Sequence, residues 1–185
     1  MRILAARSRS GLRLGLLTAL AVVGSSATVH AADVPLPGKL LLIKNAIVAK
    51  IIAKGGTPFP VPGFGGPTDP TTNPSSIVID DLGGSGELTE VDLATGSWRA
   101  LGNPAGSKGY VYTNPGAGAG SDPVRKIVLK ANIVKVIARD DGTLDGPVVG
   151  AVEMFLTLGA DTYCARFGGT GVKNQAGLVR RKNAV

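Results

Sequence analysis

The side chains able to do chemistry fall into three groups. Carboxylates stand together at Asp80-Asp81 and in Asp140-Asp141-Gly142-Thr143-Leu144-Asp145, with Glu153 as a further acid. Two such groups flanking a glycosidic bond could share acid and base duties in its hydrolysis. A deep pocket lined by Asp80, Asp81, Asp140 or Glu153 would be the mark of that activity. Asp140, Asp141 and Asp145 could also offer loop oxygens to Ca2+, but they lack the D-x-D-x-D-G order and closing Glu of an EF-hand loop. Aspartates that bond neighbouring N–H groups in a turn account for the same residues, so no metal is expected. The second group is aromatic. Trp98, Tyr110 and Tyr112 on one exposed surface would make a platform for stacking on sugar rings; turned inward, they are core. The third is Cys164, which stands in Thr162-Tyr163-Cys164-Ala165-Arg166-Phe167. That alternation reads as a strand with the thiol buried, and the other reading is a covalent dimer through an exposed thiol.

Other chemistries are excluded. The single histidine is His30, inside what reads as a leader, so the rest of the chain holds no imidazole. Ser-His-Asp and Cys-His nucleophilic pairs fall away, as do His-ligated zinc, copper or iron sites. Gly168-Gly169-Thr170-Gly171 is not a phosphate loop, because no Gly-Lys-Ser/Thr and no helix follow it. No catalytic residue and no cofactor is expected, and the chain reads as a non-enzyme.

The amino-terminal segment reads as an address. Arg2, Arg7, Arg9 and Arg13 precede an apolar run from Leu14 to Val23, and Val29-His30-Ala31 sets small residues at −3 and −1 of a cleavage site. This is the pattern of a secretory signal peptide, with the cut expected between Ala31 and Ala32. The run is shorter than the roughly 20 residues a spanning helix needs. The domain boundaries follow: residues 1–31 as signal peptide, 32–179 as one β-rich domain, and 180–185 as a basic, solvated tail. The expected location is periplasmic or extracellular.

The formal net charge is +7 and the isoelectric point about 9.8. Residues 1–31 carry four Arg and no acid, whereas residues 32–179 carry 13 bases and 13 acids. The excess thus reads as a property of the two ends. A nucleic-acid-binding face needs cations clustered on the folded body, so no nucleic-acid partner is expected.

The elements that must hold these groups are strands. Two segments look alike: Lys50-Ile-Ile-Ala-Lys54 and Lys135-Val-Ile-Ala-Arg139, each the second half of a Val/Ile/Lys-rich stretch broken by Asn45-Ala46 or Ala131-Asn132. On a helix, Lys126, Lys130, Lys135 and Arg139 would form one cationic stripe that could lie on a membrane surface. The β-branched residues and central turn formers favour two β-hairpins instead. In a strand, Lys50, Ile52 and Lys54 share one face, as do Lys135, Ile137 and Arg139. Residues 57–76 hold six prolines among glycines and read as an extended loop. Strands are expected at 76–80, 87–93, 124–129 and 148–158, with a Gly/Ala/Pro loop at 114–123. With 27 Gly and 12 Pro in 185 residues, turn signals recur about every ten residues, the spacing of an all-β sandwich or barrel.

The most distinctive stretch is Trp98-Arg-Ala-Leu101-Gly102-Asn-Pro104-Ala-Gly106-Ser-Lys108-Gly109-Tyr110-Val-Tyr112. With Val124 to Lys130, Tyr163-Cys164-Ala-Arg-Phe167-Gly168-Gly169 and the Asp69-Pro70-Thr71 loop, it resembles an uncharacterised domain of secreted bacterial proteins over roughly residues 38–172. The resemblance implies export and a β-rich fold, and no mechanism. Further cysteines typical of that domain are missing from this chain, so any disulfide it implies is absent.

The expected architecture is all-β, an antiparallel sandwich or partly open barrel of about 8–10 short strands, with an N-terminal signal helix. The expected role is that of a secreted, non-catalytic binding or surface-structural module, monomeric or dimeric, facing an extracellular protein, envelope component or polysaccharide. The alternatives are a carbohydrate-binding module using Trp98, Tyr110 and Tyr112, and a membrane-surface protein using the two cationic segments.

Overall fold

The computed structural model describes residues 32–44, 48–82, 88–118, 122–139, 150–168 and 171–182. The leader, the Asn45-Ala46 turn and the Asp140, Asp141 and Asp145 candidates lie outside the described residues. Among the described residues the regular structure is all strand, apart from a single 3-10 turn at Thr95–Ser97. Twelve strands form one continuous sheet, a few more than expected. It curls into an open half-barrel. In chain order the strands are β1 (Ala32–Lys44), β2 (Val48–Lys54), β3 (Ser75–Asp81), β4 (Leu88–Asp92), β5 (Trp98–Ala100) and β6 (Tyr110–Thr113). Then follow β7 (Val124–Lys130), β8 (Ile133–Ala138), β9 (Val152–Leu158), β10 (Asp161–Phe167), β11 (Gly171–Gln175) and β12 (Leu178–Lys182).

β1 divides this sheet into two halves. Its first part runs beside β10, from Ala32↔Asp161 to Pro37↔Arg166, and completes sheet A in the order β4-β3-β9-β10-β1. Its second part lies between β12 and β2 in sheet B, which continues through β8, β7 and β6 to β5. The changeover is a bulge between Gly38 and Leu40. One extra residue flips every later side chain to the other face. Accordingly Val34 and Leu36 are buried before the bulge, and Leu41 and Ile43 after it. Pro35 and Pro37 fall on the part of β1 that pairs with β10 on one side, and an edge is where a strand tolerates a missing N–H donor.

Pairing is antiparallel throughout except β1 with β10, which is parallel. Residues 38–160 intervene between these two strands, so no tight turn constrains their relative direction. The two lysine-rich segments are hairpins, as expected, and they lie side by side: β2 pairs β8 from Ala49↔Ala138 to Lys54↔Ile133. The helical reading is thereby overturned. β-Branched residues on alternating positions bury one face of each strand, as in β8, where Val134, Val136 and Ala138 are inward.

The inward faces of both halves share one core, which includes Ile51, Ile77, Ile127, Leu129, Met154 and Leu156. Residues 55–74 carry no strand structure, consistent with their prolines, and reach the core through Phe59. Phe59 on that segment packs edge-on against Tyr163 at 6.1 Å, and the Tyr163 hydroxyl donates to the Pro60 carbonyl at 2.9 Å.

The expected carboxy-terminal tail is not one. Arg180, Arg181 and Lys182 belong to β12, and Arg181 points inward at 6% exposure. Its Nη1 donates to the carbonyls of Gly150, Phe167 and Gly168, the last two at 3.2 and 3.1 Å. Counting the three charges as a solvated run missed the alternation of Leu178, Arg180 and Lys182 against Val179 and Arg181.

Candidate functional site

The aromatic candidates are core residues. Trp98 is 6% exposed, and Tyr110 and Tyr112 are fully buried. β5 and β6 turn all three inward, with Trp98 directly across from Tyr112, their rings meeting edge-on at 5.3 Å. The indole Nε1 finds the Ser75 hydroxyl at 3.0 Å, the acceptor that a buried tryptophan requires. No stacking surface exists there, which corrects the carbohydrate platform. Burial, followed by the charge of Asp69, pushes the Tyr110 hydroxyl up to about 12. Burial likewise raises Tyr112, with Asp122 adding to it.

The carboxylates are dispersed. Asp80 lies directly across from Glu153 on the outer face of sheet A. Glu153 is flanked on the other side by Arg166, whose Nε approaches its Oε1 at 3.7 Å. A groove of about 240 Å3 includes Glu153, Phe155, Cys164 and Arg166 but neither Asp80 nor Asp81. Among the described residues no group of three or more His, Cys, Asp or Glu could hold a metal ion. Cys164 is half-buried on that outer face rather than in the core, because β10 turns Tyr163 and Ala165 inward. Burial, then the charges of Asp33 and Glu153, raise its thiol and keep it protonated.

Asp69, which the sequence placed only in a shared loop motif, is fully buried. Its Oδ2 accepts the Gly65 N–H at 2.6 Å, and its Oδ1 accepts the Thr71 N–H and hydroxyl at 2.9 and 2.7 Å. Burial works to raise this carboxyl, but the three hydrogen bonds outweigh it and the net shift is downward. Its role is to organise the proline-rich loop.

The sequence put Lys50 and Lys54 on one strand face and Lys135 on another; what it did not show is that these faces adjoin in one outer face of sheet B. On β2 it carries Lys50 and Lys54, on β8 Lys135, and on β7 Lys126 and Lys130. On β1 it carries Lys44, and on β12 Arg180 and Lys182. Among the described residues, the strands of sheet B hold no Asp or Glu apart from Asp33, which stands on the part of β1 that pairs with β10 in sheet A. The strand acids all lie in sheet A, as in Asp33, Asp80, Glu90, Asp92 and Glu153. Among the described strand residues, cations thus gather on sheet B and carboxylates on sheet A, where Arg166 is the one cation.

The cations are arranged as a checkerboard. Lys50 sits between Leu42 and Ile137, and Lys135 between Ile52 and Val128. Arg180 faces Leu42, Lys182 faces Leu40, and Lys54 and Lys130 both face Ile133. Like charges directly across from each other destabilise a sheet; among β12, β1, β2, β8 and β7 each cation faces an aliphatic residue instead, and the exception lies at the margin, where Lys173 of β11 pairs with Arg180. Those aliphatics are half-buried, in the manner of apolar surface covered by long lysine stems. One groove in this face, about 510 Å3, has Leu40, Ile52 and Ile133 as its apolar lining and Lys39, Lys54, Arg180 and Lys182 as its cations.

Compared with protein families, curated proteins and solved structures, the chain matches none.

Proposed function

We propose that the protein is a non-catalytic binding module, exported from the cytoplasm, that holds an anionic partner on the outer face of sheet B. One observation carries this reading: five adjacent strands, β12, the part of β1 after its bulge, β2, β8 and β7, present lysine and arginine on one face, and residues 40–44, 48–54, 124–130, 133–138 and 178–182 hold no carboxylate. A face that serves only solubility intersperses both signs, which lowers self-repulsion. Concentrating one sign costs stability and raises the local concentration of an oppositely charged partner. The leader motif and the resemblance to a domain of exported proteins support the location, and the missing imidazole supports the lack of catalysis. The face also reverses the charge-balance argument against polyanionic partners, which had averaged over both halves.

The test is chromatography of the full chain on immobilised heparin, used as a generic polyanion. Retention at low salt is expected, with elution at lower salt for Lys50→Gln/Lys135→Gln than for the unsubstituted protein. A protein that flows through at low salt, or elution that ignores the two substitutions, overturns the reading.

A further inference from the structure

We infer that the partner of this face is an anionic lipid bilayer, whose headgroup phosphates meet the lysines while the groove at Leu40, Ile52 and Ile133 admits the upper part of an acyl chain. The inference rests on the reading of sheet B's outer face as the binding surface and names its occupant.

Three features select lipid over other polyanions. The first is the aliphatic half of the checkerboard. Leu42, Ile137 and Val128 alternate with the cations, and Leu40, Ile52 and Ile133 line the groove. A phosphate backbone gains nothing from such residues, whereas an interfacial surface is held by apolar burial together with attraction to anionic headgroups. The second is that, among the described residues, the strands of sheet B turn no aromatic outward: Trp98, Tyr110 and Tyr112 all point into the core, and the exposed Phe64 stands on the proline-rich loop instead. Single-stranded nucleic acid is held by bases stacked on exposed aromatics. The third is the dominance of lysine. Its flexible stem can lie along apolar surface while the ammonium reaches a headgroup, a geometry that interfaces favour, whereas planar bidentate readout of phosphate is the work of arginine. A second copy of the chain is the remaining candidate, docking through the carboxylates of sheet A. There, however, Arg166 already faces Glu153, and fewer acids stand on that outer face than cations on sheet B.

The experiment is co-sedimentation of the full chain with vesicles of phosphatidylcholine alone and of phosphatidylcholine mixed with phosphatidylglycerol. Every comparison is between variants of the same chain, so the apolar run of the leader contributes equally to all. Binding to the anionic vesicles is expected, with a part that survives salt concentrations sufficient to elute the protein from heparin. Each cation near an anionic surface contributes roughly fivefold in affinity. The triple variant Lys54→Gln/Arg180→Gln/Lys182→Gln should therefore lose about a hundredfold. Ile52→Thr/Ile133→Thr keeps β-branched residues in the strands, and circular dichroism checks that it folds. It should weaken vesicle binding and leave heparin retention unchanged.

Retention on heparin without binding to anionic vesicles overturns the lipid inference and leaves the binding face standing. Failure on both overturns both. Vesicle binding that is wholly salt-labile, or indifferent to Ile52→Thr/Ile133→Thr, also overturns the inference. So does a rise in sedimentation coefficient at low salt without lipid, which would assign the face to a second copy.

Discussion

The indole of Trp98 and the hydroxyl of Ser75 are joined at 3.0 Å across the core, one residue from β5 of sheet B and the other from β3 of sheet A. The Ser75 hydroxyl passes its own hydrogen on to the Leu93 carbonyl at 3.1 Å. Two strands distant in the sheet order are thus tied by a buried polar chain. Ser75→Ala would leave the indole N–H without an acceptor, and a buried donor left unmade costs about 1–3 kcal/mol. Urea denaturation followed by circular dichroism should show that loss. The lone tryptophan should also emit at short wavelength and resist quenching by iodide until the protein unfolds. An unchanged midpoint in Ser75→Ala would mean that the bond contributes nothing.

The three tyrosines should titrate as one event with unfolding. Burial raises Tyr110 to about 12 and raises Tyr112, and it lifts Tyr163 well above the ordinary phenol range, with Asp161 and Tyr110 adding to the effect. A folded-state value above the unfolded one stabilises the protein fully below the ordinary tyrosine value of about 10. That contribution fades as pH climbs toward and through 12. Absorbance at the phenolate band should therefore stay flat to about pH 11 and then rise together with loss of the circular-dichroism signal. Phenolate appearing near pH 10 in folded protein would contradict the burial.

Gly109 precedes β6 with φ of +95°, and a Cβ there would lie 2.0 Å from the Leu129 carbonyl oxygen of β7. Neither backbone can move without breaking the Tyr110↔Leu129 pairing. Gly109→Ala should cost about 3 kcal/mol or more, since strain at positive φ alone is worth about 1–3. Gly96, with open space around its Cβ position, makes the control: Gly96→Ala should lie within about 0.5 kcal/mol of the unsubstituted protein.

Much of this was readable from residue types. The β-branched alternation located most of the strands, the central Asn residues located the hairpins, and a tryptophan in a chain with few aromatics pointed to the core. The bulge between Gly38 and Leu40 was not readable, because a change of inward parity has no composition signal. The parallel β1–β10 pair was not readable either, since pairing across that separation leaves no local trace. The joining of the cationic segments into one face was hidden by the arithmetic applied to them. Averaged over the domain the signs nearly cancel, yet residues 38–54, 124–139 and 171–182 each contain no acid. Counting charge by segment marks these stretches as cationic, but that β12, β1, β2, β8 and β7 lie side by side is set by long-range pairing.

Arg181 supplies a prediction that separates a strand from a tail. Ending the chain after Val179 removes β12's pairing of Arg181 with Leu41 and the donors to Gly150, Phe167 and Gly168. A solvated tail would be lost without effect. Here the truncated protein should melt at markedly lower temperature or fail to fold, and Arg181→Met alone should cost about 1–3 kcal/mol, chiefly from the Phe167 carbonyl, whose hydrogen bond to Arg181 is buried. Arg180→Gln, on the outer face, should stay within about 0.5 kcal/mol. Equal effects at the two positions would remove the distinction between inward and outward cations.

The cationic face sets the stability of sheet B against the polyanion binding proposed for it. Lys135 has Ile52 and Val128 directly across from it, and Lys50 and Lys126 lie on the neighbouring strands opposite Ile137, two residues along β8. With no carboxylate in these strands, the repulsion is relieved only by salt, whose screening length is about 10 Å at 0.1 M. The melting temperature should consequently rise with sodium chloride in the range where surface charges are screened. Lys135→Glu should reverse the local sign and stabilise the protein at low salt by about 0.2–1 kcal/mol, the range for favourable cross-strand charge pairs. It should also flatten the salt dependence and weaken retention on heparin. A variant that is less stable at low salt yet still binds polyanions would show that the cations are neither in tension with one another nor the contacts that hold the partner.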